Sequence, residues 1–143
     1  MELDPNVWGP HYWFFLHTIS ICYPQYPNAV TKKKYYELIQ NFHLFIPIEK
    51  IANEFSKLID AYPIAPYLDS KDSFIKWTHF IHNKINEKLE KPEISLHDFL
   101  FKYYESYKPV NEKLAQYKKI KEKAIYIGTI LLIGGLIYYL YEK

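Results

Sequence analysis

The sequence predicts an all-α protein: a four-helix bundle with a short fifth helix, followed by a C-terminal helix of membrane-spanning length. Three observations predict it. Apolar residues recur every three or four positions in segments separated by proline-containing turns, the repeat of a buried helical face. No stretch shows the apolar/polar alternation of a half-buried strand, and there is no internal repeat or glycine-rich phosphate loop. The run from Ala124 to Tyr141 is 18 residues without a charge.

The elements follow in order. Met1–Asn6 is short and acidic and lacks the basic-then-apolar pattern of a signal peptide. Pro5 suits the first turn of a helix, and Trp13, Leu16 and Ser20 carry that helix to about Tyr23, where Pro24 and Pro27 stop it. Asn28 is an N-cap candidate for a second helix reaching Phe45, with Tyr35, Leu38, Ile39, Phe42 and Phe45 as its stripe. Pro47 is placed in the first turn of a third helix, whose stripe runs through Ile48, Ile51, Phe55, Leu58, Ile59 and Tyr62 to Pro63. Asp69 or Ser70 caps a fourth helix, in which Phe74, Trp77, Ile81, Ile85 and Leu89 form the apolar face. Ser95 with Asp98 has the spacing of a capping box for a fifth helix, Leu96 to about Ser106. Four antiparallel helices with short connections bury these stripes.

The composition changes after Pro109. Residues 110–123 are a basic linker, with lysines at 113, 118, 119, 121 and 123. The apolar run that follows spans about 27 Å as a helix, enough for a thin bilayer. Tyr126 near one end and Tyr138, Tyr139 and Tyr141 near the other fit interfacial belts. The domains are therefore expected at 1–109, 110–123 and 124–141. The lysines precede the anchor, so residues 1–109 are expected on the cytosolic side of a membrane.

Composition limits the functions open to this chain. At 143 residues it holds one domain plus an appendage. The formal net charge is +2 and all 18 basic residues are lysine, so nucleic acid is not an expected partner. The abundance of Tyr (15 residues), Lys, Ile and Asn is the residue usage of an A/T-rich genome. The one cysteine, Cys22, sets no disulfide framework, and its apolar neighbours make it a small buried hydrophobe by expectation.

The fourth helix carries the chemistry. Beside its apolar stripe, His79, His82 and Asn86 stack at helical spacing, a polar edge suited to a flat ligand. His82-Asn83-Lys84-Ile85-Asn86 followed by Lys88-Leu89-Glu90-Lys91-Pro92 resembles the His-Asn-x-Val-Asn…Lys-Leu-x-Lys-Pro signature of the Erv/ALR family of FAD-linked sulfhydryl oxidases. Residues 8–17, Trp-Gly-Pro-His-Tyr-Trp-Phe-Phe-Leu-His, resemble its opening Trp-Gly-x-x-x-Trp-x-x-Leu-His. The resemblance covers roughly residues 8–105. It implies a four-helix bundle with a fifth helix, usually a homodimer, holding FAD at one end. It also implies thiol-containing client proteins, with electrons passed through FAD to dioxygen. Some large DNA viruses carry members of this family, in keeping with the residue usage.

The resemblance assigns FAD contacts to Trp8, Trp13, His17, His82, Asn83, Asn86, Lys88 and Lys91, with Ile85 against the rings and Tyr103 in place of a late Trp. These are suitable types: indole and imidazole faces stack, amides bond ring edges, and lysine meets a diphosphate as a point charge. Taken singly, Trp13 and His17 read equally well as core, and Lys88 and Lys91 as solvated surface.

The family's redox pair is missing. Where relatives carry Pro-Cys-x-x-Cys, this chain has Pro47-Ile48-Glu49-Lys50-Ile51. Isoleucine forms no mixed disulfide and donates no electrons. Two larger apolar side chains there cost on the order of 1–3 kcal/mol if the site cannot adjust. Ile46 stands where a Tyr is common. The expectation is an FAD-binding chain inactive as a thiol oxidase. The alternative is a tail-anchored interaction module without catalysis. A metal site on His43, His79 and His82 ranks below both, because no acidic or thiol ligand shares their spacing, and no metal ligand is assigned.

Overall fold

Asp4 starts the first helix, its carboxylate accepting from the Asn6 N–H at 2.8 Å, with Pro5 as the first helical residue. In the computed structural model, which describes residues 3–142, helix α1 spans Pro5–Ile21. Pro10 lies inside it and lacks the N–H that would bond the Asn6 carbonyl, yet the helix continues. Asn28 caps α2, Ala29–Asn41, by accepting from the Thr31 N–H at 2.8 Å. Helix α3 is Glu49–Ala61, α4 is Lys71–Lys88 with Ser70 as its N-cap, and α5 is Leu96–Glu105. No strand occurs among the described residues. The fold is the all-α one expected.

The chain divides into two units, one up to Tyr103 and one from Tyr104. In the first, side-chain pairs fix the packing. Lys91 reaches Asn6, His82 meets His17, and the Phe74 and Tyr23 rings meet edge-on, so α4 runs antiparallel to α1. Tyr23 meets Tyr35 while Phe15 stacks with Phe42, which makes α2 antiparallel to α1. Glu54 pairs with Lys88 and Trp77 bonds to Tyr62, which makes α3 antiparallel to α4. Helix α5 packs on α1 and α4, with Phe99 against His17 and His79.

The core is built from the predicted stripes: Leu16, Ile39, Phe55, Ile59, Phe74 and Ile81 are all buried. Polar groups drawn into it are satisfied locally. Tyr23 donates to the Leu68 carbonyl, Trp77 Nε1 to the Tyr62 carbonyl, and Ser20 and Thr78 to carbonyls one turn back.

Four details depart from the sequence reading. The second helix tightens into a 3₁₀ turn over Phe42–Phe45, whose three-residue period leaves Phe45 exposed instead of on the core stripe. Pro47 lies outside α3, because the extended Ile48 is its N-cap. Helix α1 ends at Ile21, so Cys22 occupies the C-cap and is exposed, not buried. Leu89 likewise follows the last helical residue of α4 and is half exposed.

The end of α4 is a Schellman closure. The Lys91 N–H bonds the Asn86 carbonyl at 2.8 Å and the Glu90 N–H bonds the Glu87 carbonyl at 3.1 Å. The residue that makes this turn, Glu90, holds φ at 55°, the region where glycine is favoured, and Pro92 follows.

In the second unit, α6 spans Val110–Tyr141, 32 residues in one unbroken helix about 48 Å long. The expected basic linker is thus helical and continuous with the apolar run. This helix is long and apolar enough to cross a membrane, and none of its apolar window is buried.

Replacing Glu90 with glycine removes the left-handed strain at some entropic cost. Glu90→Gly is expected to raise unfolding stability by roughly 0.5–1 kcal/mol, read as a higher urea midpoint at unchanged slope.

Candidate functional site

Three of the residues singled out in the sequence come together across the α1–α4 seam. Trp13 and His17 are one turn apart on α1, and His82 faces them from α4. His17 Nε2 and His82 Nδ1 share a hydrogen bond of 2.9 Å. The Trp13 indole lies parallel on the His82 ring, with centroids 4.0 Å apart and planes 9° apart. Phe99 covers His17 at 4.1 Å. The cluster is thus a wall of π faces with one polar seam. With Trp13 and His82 already in contact, no ring fits between them, since an intercalated ring needs about 7 Å. A flat ligand would use the outer faces.

Burial sets the charge of this pair. Desolvation, followed by the neighbouring His82 and His79, lowers the His17 pKa from 6.5 to about 3. Desolvation, then His79 and Lys91, lowers that of His82 to about 4. Both imidazoles are therefore neutral at pH 7, and one proton lies in their shared bond. If His17 donates through Nε2, its Nδ1 is a bare acceptor; if it accepts, Nδ1 carries a proton. Either way His17 Nδ1 is buried with no hydrogen-bond partner within the chain. Trp8 Nε1 is the other such atom among the described residues. Buried polar atoms left unpaired cost about 1–3 kcal/mol each, which marks them as groups that a bound molecule would satisfy.

The remaining predicted residues divide by place. Trp8 packs edge-on to Tyr12 at 5.0 Å, on the side of α1 that faces Phe42. Ile85 and Asn86 are buried on α4. Asn83 is already engaged: its Nδ2 donates to the Ile94 carbonyl at 2.9 Å and its Oδ1 accepts from the Ile94 N–H at 3.0 Å. His79 bonds the same carbonyl at 2.6 Å. These two side chains pin the connection between α4 and α5. Tyr103 is buried and donates to Thr18 Oγ1 at 3.1 Å, next to His17 in sequence.

Lys88 pairs with Glu54 of α3, which also accepts from Lys57 at 2.9 Å. The hydrogen bonds from Lys88 and then Lys57 pull the Glu54 carboxyl down to about 2. Lys91 reaches Asn6 Oδ1 at 3.3 Å. Ile48, the N-cap of α3, and Ile51 in its first turn are half-buried, and Ile51 lies about one turn before Glu54.

Sequence reasoning missed Phe99 and Glu54. Nothing in the sequence singles out Phe99 beyond its place in the fifth helix. Glu54 became a partner of Lys88 only once α3 and α4 were antiparallel. His43 bonds the Gln40 carbonyl, and no group of three potential metal ligands gathers among the described residues.

On the other side of α1, a groove of about 390 Å³ is lined by His11, Tyr12, Phe15, Leu38, Phe42 and Phe45. Its lining is almost wholly apolar.

The folded pKa values of His17 and His82 lie below the unfolded value near 6.5, so the unfolded chain takes up protons first as pH falls. Stability is therefore full above pH 6.5 and is lost as pH drops toward 4. Urea titrations between pH 6.5 and 5 should show a slope of roughly 1–3 kcal/mol per pH unit. His82→Gln should flatten that slope.

Comparison with known proteins places the chain in a family. The model of the Erv1 / Alr family matches residues 10–108. A probable FAD-linked sulfhydryl oxidase of Acanthamoeba polyphaga mimivirus is 29% identical over 85 residues, 59% of this chain and 59% of the relative. The mitochondrial FAD-linked sulfhydryl oxidase ERV1 of Saccharomyces cerevisiae is 31% identical over 90 residues, 63% of this chain and 47% of the relative. The match thus spans between about half and three fifths of these relatives' lengths. The crystal structure of the FAD-binding domain of Erv1 from Saccharomyces cerevisiae superposes with a TM-score of 0.66 at 25% identity, covering 75% of this chain and all of that one. With its two motifs, its bundle and a match over most of its length, this chain belongs to the Erv1 / Alr family.

Proposed function

We propose that residues 1–109 form a FAD-binding domain that does not oxidise thiols, carried on a membrane anchor at 124–141 by the basic segment 110–123. The observation that carries the reading is the buried cluster of Trp13, His17 and His82 with its unpaired His17 Nδ1. The unpaired Trp8 Nε1 and the family's FAD-linked relatives support it.

Trp13 and His82 would offer their outer faces to the ring systems, and His17 Nδ1 and Trp8 Nε1 would find partners on the ligand. Ile85 and Asn86 would pack and bond at the ring edge, with Tyr103 closing the cluster from α5. Asn83 would act by holding the Ile94 backbone in place. Lys88 and Lys91 would meet the diphosphate, Lys88 by exchanging Glu54 for it. The neutral imidazoles add no charge, so the lysines supply the electrostatic attraction. When bound, FAD supplies a two-electron acceptor for a thiolate and a route to dioxygen. Ile48 and Ile51 hold no electron pair to give it, so client thiols would not be oxidised. The apolar groove beside Phe15 and Phe42 supports pairing of two copies as a homodimer.

A second reading, a tail-anchored interaction module without cofactor, draws on the Trp13–His82 contact and the engagement of Asn83 within the chain. Colour separates the two. The purified protein is expected to show flavin absorption near one equivalent per chain, and His17→Ala to raise the Kd for FAD at least about tenfold, the worth of a lost buried hydrogen bond. A folded, colourless protein would favour the second reading.

Peroxide release with dithiothreitol should not exceed that of free FAD. Ile48→Cys combined with Ile51→Cys should produce oxidase activity in the FAD-loaded protein. No activity in that folded, yellow variant would show that more than the thiols is missing.

A further inference from the structure

We infer that Lys118, Lys119, Lys121 and Lys123 form a collar that binds anionic phospholipid headgroups in the leaflet nearest the helical domain. The inference rests on the membrane reading above and goes beyond anchoring: it names which lipids gather around the anchor. All four lysines are exposed and lie within the last six residues before Ala124, where the uncharged run begins. Because α6 is unbroken through this point, their depth is fixed by helical rise instead of by a flexible tether. Residues 118–123 rise about 7.5 Å, close to the ~5–8 Å of one headgroup layer outside the hydrocarbon core.

Their directions point the same way. At about 100° per residue the four lysines spread over an arc of roughly 200°, with Tyr117 and Ile120 in the remainder. A helix lying on a flat surface could not turn so wide an arc toward it. A helix passing through the surface surrounds itself with headgroups, and every lysine meets one. Glu122 is the one acidic residue within the collar, which leaves a net charge of +3 at the surface (four lysines less one glutamate). Lysine, unlike arginine, engages phosphate as a point charge. The expected ligand is therefore the negative charge of the leaflet, with no stereospecific headgroup required.

The test uses the full chain reconstituted in phosphatidylcholine bilayers containing a trace of spin-labelled lipid. Electron paramagnetic resonance reads the share of probe held at the protein. Labelled phosphatidylserine should associate at least about threefold more strongly than labelled phosphatidylcholine. The preference should fall toward one in about 0.5 M salt. It should vanish when all four lysines become glutamine and persist when all four become arginine. Equal association of the two probes, or the same preference in the glutamine variant, overturns the inference. Inorganic phosphate should weaken the preference no more than chloride at equal ionic strength; a larger effect overturns the assignment to lipid. Carbonate extraction from pure phosphatidylcholine vesicles reads the anchor separately. Retention of both wild type and glutamine variant supports the anchor, whereas release of the wild type overturns the membrane reading and the collar with it.

Discussion

The bond between His17 and His82 is the constraint on which the site depends. It joins α1 to α4 inside the bundle, where charge is excluded, and it works because both rings are neutral. Trp13 lies flat on one imidazole and Phe99 closes over the other. Phe99 in turn sets where α5 crosses, and His79 with Asn83 secures the chain that leads to it. A protonated imidazole at either position would demand a counter-charge, and this wall has none within it.

Much of this was legible in the sequence, for identifiable reasons. The stripes of α3 and α4 follow a strict helical period, so Phe55, Ile59, Phe74 and Ile81 could be placed in the core from spacing alone. Asn28, Ser70 and Ser95 announced their helices by cap chemistry. The boundaries were harder. Cys22 and Phe45 lie where a helix stops or tightens, and a change of one residue there turns a buried position outward. Site partners distant in sequence, such as Glu54 with Lys88, were not legible, because helix direction and register decide them.

The two isoleucines show how packing and chemistry can part. Ile48 caps α3 without a side-chain bond to its N-terminus, and Ile51 fills a half-buried place in its first turn. Both are half-buried apolar residues. The bundle is thus built by residues that serve folding, and isoleucine stands at the two positions where the family resemblance places thiols.

Cys22, at the exposed end of α1, carries the chain's one thiol. No covalent bond within the fold can be opened by glutathione or closed by an oxidant. The polypeptide's own folding therefore turns on no thiol–disulfide couple, unlike that of a domain braced by disulfides. What an oxidising compartment can do is join this sulfur to a second molecule, a change in assembly with the bundle itself left as it was.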